Sequence, residues 1–135
     1  MSTKSQYTLL LFFKRNPDLS PSEFKKYYEA NHVPMVVELA KEAKGMLTYT
    51  RRYLDHEASD PSLASENPFT VYGTPAPTVP FDIVNEVTFD SKESAAKFSE
   101  IFYGDEDNRA KVLADEDKLF IRSQMRGMIV ETIVS

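Results

Sequence analysis

Two histidines, His32 and His56, are the side chains of this sequence whose ordinary titration range lies near neutral pH. Phe24, Tyr28 and His32 follow one another at four-residue spacing and so share one face of a helix. Pro34, two residues on, removes a backbone donor and biases Val33 away from helical dihedrals, which predicts a kink or break beside His32. An imidazole placed at a renewed helix N-terminus tends to stay neutral, because the helix dipole disfavours added positive charge. Neutral imidazole is the form a general base requires. A histidine that merely satisfies backbone groups at a kink would leave the same signature, so the pattern admits both readings. His56 opens a proline-rich stretch without periodic context and reads as solvent-exposed.

Tyr49, Arg51 and Tyr53 alternate along a strand-like segment and share one face, with Arg52 on the other. A tyrosine so placed can hydrogen-bond a phenolic or carboxylate ligand, or pack in the core with its hydroxyl at the rim. Two acidic runs, Asp105-Glu106-Asp107 and Asp115-Glu116-Asp117, lack the alternating ligands and central glycine of a calcium loop. They read as solvated helix ends, and no metal site is expected. With no cysteine, thiolate ligands, cysteine nucleophiles and disulfides are excluded together. Only four glycines occur, and neither a G-x-S-x-G turn nor a glycine-rich phosphate loop is present. No cofactor is expected.

The elements that must position these groups follow from patterning and punctuation. Tyr7 to Lys14 is a short apolar run closed by Asn16-Pro17-Asp18, read as a strand buried on both faces. Ser20-Pro21-Ser22-Glu23 combines an N-cap serine, proline at the first helical position and glutamate three residues after the cap. The helix that starts there resumes through Met35, Val36, Leu39 and Ala43 as far as Gly45. Met46 to Leu54 and Phe81 to Phe89 read as strands. Asp90 and Glu93 open a further helix that ends at Gly104, Arg109 to Lys118 is a short helical segment, and Met125 to Val134 is a last strand.

The order β-α-β-β-α-(α)-β is the split βαβ arrangement, an α+β ferredoxin-like βαββαβ fold with an antiparallel sheet. Residues 1–135 read as one domain, with a loop insertion at 55–80 that holds five of the eight prolines. Helices cover one face of such a sheet, so the other is expected to bury itself against a second copy in a homodimer. A formal charge of −5 with scattered lysines and arginines argues against a nucleic-acid partner. The longest apolar run is too short for a membrane span or a signal peptide, which makes a cytoplasmic location the default expectation.

The segment Leu19 to Phe24, continued through Tyr28, His32 and Pro34, resembles the EthD-domain family of dimeric α/β-barrel proteins. Asp82 to Phe89 and Asp115 to Phe120 are similar more loosely. The resemblance implies a dimeric α/β barrel and brings the family histidine onto His32 and the preceding aromatic onto Tyr28. Members similar to this chain include fungal polyketide-tailoring enzymes, such as atrochrysone carboxylic acid decarboxylases. By this resemblance the chain is expected to be a cofactor-independent lyase, a decarboxylase or dehydratase for an aromatic, polyketide-like small molecule of secondary metabolism. His32 would transfer the proton, and Tyr28 or Tyr49 would hold the developing enolate or phenolate. Phe24, Phe12 and Met35 would line the substrate pocket. An anthrone-type monooxygenase that needs no cofactor and a non-catalytic ligand-binding or stress-related dimer are the alternatives.

Overall fold

The computed structural model describes residues 6–56, 70–71, 74–75 and 79–135. Most of the proline-rich insertion expected at 55–80, with Phe69 and Tyr72, lies outside the described residues, as does any role for it as a lid.

Four strands form one antiparallel sheet: β1 (Tyr7–Phe13), β2 (Met46–Tyr53), β5 (Ile83–Phe89) and β6 (Arg126–Val130). Two-residue strands β3 (Thr70–Val71) and β4 (Thr74–Pro75) pair separately. The sheet order is β2-β5-β1-β6, which places the first strand inside and both connections across the same face. This is the expected α+β ferredoxin-like arrangement. Alternation divides the residues between the two faces. Leu9, Leu11 and Phe13 pair with Val87, Asn85 and Ile83 and face the helices, whereas Leu10 and Phe12 pair with Glu86 and Val84 on the opposite face. Most of β1 is half-buried rather than fully buried on both sides, the helix-facing Leu9 and Leu11 as well as Leu10 and Phe12.

Helix α1 (Pro21–Tyr27) starts on a complete capping box, in which Ser20 and Glu23 satisfy each other's backbone N–H groups at 3.1 and 2.9 Å. Of the kink or break expected beside His32, the structure shows a distortion without a break. Tyr28–His32 forms one π-helical turn, and α2 (Val33–Ala43) continues the same path. Val33 keeps helical dihedrals (φ −59°, ψ −48°), and its N–H reaches back five residues to the Tyr28 carbonyl. The widened turn is the structural adjustment at this site: one extra residue is inserted before the proline, which then lies in the first turn of α2, where a missing N–H costs least. Gly45 leaves the helix with φ +90°, and a Cβ there would collide with the Ser94 side chain.

The second connection repeats the device. Helix α3 (Lys92–Ser99) is capped by Ser91, not Asp90, through the Ser94 N–H. It runs into a second π-turn, Glu100–Gly104, before α4 (Glu106–Leu119). Phe13, Phe24, Tyr28, Ile83, Leu119 and Phe120 form the main core between sheet and helices.

Candidate functional site

The helices do not close completely on the sheet. A cavity of about 320 Å³ lies between the inner sheet face and the two π-turns. Its walls are mainly aliphatic and aromatic, among them Leu11, Val36, Val87, Phe98 and Phe102. Into this apolar space project His32, Tyr28, Tyr49 and Asn85, with Glu116 and Tyr103 also on the lining.

His32 is buried at 5% exposure, because the π-turn carries it inward beneath Tyr28. The two rings lie 5.0 Å apart, and Phe102 and Phe120 meet the imidazole edge-on at 6.3 Å. Its Nδ1 lies 3.4 Å from Oδ2 of Asp115 on α4. The other Asp115 oxygen accepts the Tyr27 hydroxyl at 3.0 Å. A carboxylate facing Nδ1 accepts a hydrogen bond from its N–H, which keeps the proton on that nitrogen and leaves the lone pair on Nε2. Burial pushes the His32 pKa below its ordinary value of 6.5, and the neighbouring Asp115 and Glu116 charges oppose the shift without reversing it. The imidazole is therefore held in its neutral form. The cause is desolvation rather than a helix N-terminus, since His32 sits inside a continuous helical path.

Tyr28, on the same turn as His32, joins Tyr49 and Asn85 of the sheet in a second polar group. The Asn85 amide nitrogen donates to the Tyr28 hydroxyl at 2.6 Å, and the Tyr28 and Tyr49 hydroxyls lie 3.3 Å apart. Burial pushes Tyr49 up to about 12, and Tyr28 well above the usual phenol range. Both stay protonated at neutral pH and act as hydrogen-bond donors. Tyr49 is braced through β2: Arg51 lies over its ring at 4.8 Å and holds Glu29 of the π-turn by two bonds of 2.9 and 2.7 Å.

His32, Tyr28 and Tyr49 thus meet in one cavity, whereas the three residues assigned to its walls do not line it. Phe12 points to the opposite sheet face, against Phe81 at 5.1 Å. Phe24 is one helical turn too early and packs behind Tyr28 in the core. Met35 packs beside Val36, which takes the lining position instead. His56 is also not simply exposed, since its Nε2 approaches Oδ1 of Asp82 to 3.5 Å.

Asp115, Glu116 and Asn85 are the functional side chains that the sequence reading missed. Glu116 is buried at 3% exposure, held by Arg122 at 2.7 Å and by the Tyr103 hydroxyl at 2.5 Å. The signal lay in position rather than composition: Val112, Glu116 and Leu119 form the inward stripe of α4, and Asn85 stands between Ile83 and Val87 on the inward face of β5. Among the described residues no group of three or more histidines and acids is disposed to hold a metal ion, and no helix is long and apolar enough to cross a membrane.

Residues 16–123 match the EthD domain model. No curated protein matches the chain. Among solved structures, an ethyl tert-butyl ether D (EthD) family protein from Bacillus halodurans is 16% identical, with coverage of 95% of this chain and 99% of that one and a TM-score of 0.55. A NIPSNAP-like domain protein of Burkholderia xenovorans is 13% identical over 96% of this chain and 86% of its own, with a TM-score of 0.57. A dimeric ferredoxin-like protein of unknown function from Bacteroides fragilis is 10% identical over 95% and 97%, with a TM-score of 0.53. At such identities the likeness is one of fold.

Proposed function

The chain belongs to the EthD-domain family, and from that premise we propose that it is a cofactor-independent lyase, a decarboxylase or dehydratase, for an aromatic, polyketide-like small molecule. One observation carries the reading: a neutral histidine, oriented by Asp115, faces an apolar cavity that also holds the protonated hydroxyl of Tyr49. In a dehydration the imidazole takes the proton from a carbon next to a carbonyl. The electron pair moves towards the carbonyl oxygen, which lies on the Tyr49 hydroxyl, and the imidazolium returns the proton to the departing hydroxyl, which leaves as water. In a decarboxylation, carbon dioxide leaves as the electron pair of the broken bond moves into the same carbonyl. The imidazole, having taken the proton of the departing carboxyl group, returns it as imidazolium to the vacated carbon. The dry walls strengthen both hydrogen bonds.

The protein works as a cytoplasmic homodimer in this reading. Leu10, Phe12 and the half-exposed Met128 share the sheet face that no helix covers among the described residues, and the Bacteroides relative of the same fold is dimeric. Closing two such faces together makes the dimeric α/β barrel.

The test is turnover of hydroxylated two-ring β-keto acids and β-hydroxyketones, followed by carbon dioxide release, by loss of water in mass spectrometry and by an oxygen electrode. Carbon dioxide or water is formed without oxygen uptake. Stoichiometric oxygen consumption would instead make the protein an oxygenase, and binding without turnover would make it a ligand-binding dimer.

A further inference from the structure

Asn85 is buried at 2% exposure on the cavity wall, and its side-chain oxygen has no hydrogen-bond partner among the described residues. A buried amide oxygen left unpaired forfeits its hydration without replacement, which makes it a rare feature that calls for a cause. The amide nitrogen of the same side chain is spent on the Tyr28 oxygen. The Tyr28 proton then has the Tyr49 oxygen within reach at 3.3 Å. Tyr49, in turn, is left with its own proton to give. The chain of donors runs from Asn85 through Tyr28 to Tyr49 and returns to no acceptor, while Asn85 supplies an acceptor with no donor. A single hydroxyl between them would accept from Tyr49 and donate to Asn85, closing the ring.

The size of the space limits what carries that hydroxyl. An apolar protein cavity of about 150 Å³ takes one benzene ring, and this cavity, at about 320 Å³, is roughly twice that.

We propose that Asn85, with Tyr49, selects a two-ring aromatic ligand by a ring-borne hydroxyl, the enol form of the same oxygen that Tyr49 holds as a carbonyl, which donates to the Asn85 side-chain oxygen and accepts from the Tyr49 hydroxyl. This deepens the lyase reading and rests on it for the cavity being a substrate site. It makes Asn85 a specificity residue: a site built around a hydrogen bond rejects the analogue that lacks the donor far more strongly than an apolar wall rejects a missing methylene.

Calorimetric titration of the full chain with 1-naphthol, 1-naphthylamine and 1-fluoronaphthalene tests this. The first two carry a donor; the third is nearly isosteric and carries none. In the wild type the two donors bind about tenfold more tightly than the fluoro compound, and in Asn85→Leu that preference disappears while the fluoro compound binds at least as well as before. Asn85→Ala provides the same comparison should the leucine variant not fold. Equal affinity for all three probes in the wild type, or a preference that survives in the variant, overturns the assignment to Asn85 and leaves the aromatic site standing. Stronger binding of 1-methoxynaphthalene than of 1-naphthol would turn the amide nitrogen rather than the oxygen to the ligand and also overturn it. If no probe binds, the aromatic substrate class falls, and this assignment falls with it.

Discussion

The two histidines lie against carboxylates at nearly equal distances, 3.4 Å for His32 to Asp115 and 3.5 Å for His56 to Asp82, yet the two pairs sit in different surroundings. Asp115 serves His32 and one tyrosine hydroxyl. Asp82 is already occupied, accepting from the Arg15 backbone N–H at 2.8 Å and from the Arg15 guanidinium at 3.3 Å, with Lys14 at 3.7 Å. His56 comes close to it without the alignment of a hydrogen bond. The surroundings differ in the same sense. The His32 side chain is 6% exposed and faces an apolar cavity, whereas His56 is 25% exposed beside a cleft that also takes Lys25, Lys26 and Glu29. A histidine–carboxylate contact therefore says little by itself. What distinguishes a poised base is a carboxylate without competing cations and a dry space on the far side of the ring.

The largest expected effect separates the two histidines directly. His32→Ala lowers turnover about 10²- to 10⁴-fold, the usual contribution of general acid–base catalysis, while a circular dichroism melt shows that the fold is kept. His56→Ala changes turnover less than twofold. A His32→Ala protein with full activity would end the comparison as drawn.

Neutralising the carboxylates sharpens it further, because the two substitutions act on different observables. Asp115→Asn lowers the plateau rate about 10- to 100-fold, since the amide no longer fixes the imidazole tautomer. It also moves the acid limb of the pH–rate profile. Asp115 raises the His32 pKa against the larger desolvation effect, so its removal shifts that limb to lower pH. Asp82→Asn leaves the rate and its profile within twofold and instead costs about 2 kcal/mol of stability, through the cations left facing a buried neutral group. The sign of the pH effect on folding follows from the same depressed value. Below 6.5, the ordinary histidine value, the unfolded chain takes up a proton that folded His32 resists. Stability is therefore complete above that pH and declines as pH falls towards the folded-state value. His32→Ala removes that decline, and His56→Ala does not.

The contrast between the pairs also explains what could be read from sequence. The capping box at Ser20 is closed by local hydrogen bonds, and the four-residue spacing to His32 and the alternation of Tyr49, Arg51 and Tyr53 follow from helix and strand periodicity alone. Element order then gave the sheet topology. The partner of His32 stands 83 residues away, in an acidic run whose composition suits a solvated helix end equally well. Only the inward stripe of α4 distinguishes Glu116 from its neighbours, and the position of Asp115 depends on how two π-turns set the helices over the sheet. The walls were misassigned for related reasons. Phe12 requires the parity of β1 to be known, and Phe24 lies on the His32 face yet one turn beyond the end of the cavity. The kink or break expected beside His32 takes the form of a π-turn, whose extra residue absorbs the proline without loss of helical dihedrals.

The smallest expected effect probes how Asp115 is kept for His32. Tyr27 donates to the Asp115 oxygen that does not face the imidazole, with Lys118 over its ring at 4.1 Å, and both burial and Asp115 push its phenol above the usual range. Its hydroxyl therefore remains a donor throughout the working pH range and draws charge away from the side that meets His32. Tyr27→Phe removes that competitor and keeps the ring packing. The full carboxylate charge then falls on the imidazole, so the acid limb moves to higher pH, opposite in direction to Asp115→Asn. The loss of one neutral donor, on the order of 1 kcal/mol, leaves Asp115 less firmly oriented, and the plateau rate falls two- to threefold. A pH–rate profile of the variant that moves in the same direction as that of Asp115→Asn would show that Tyr27 strengthens the carboxylate rather than competing for it.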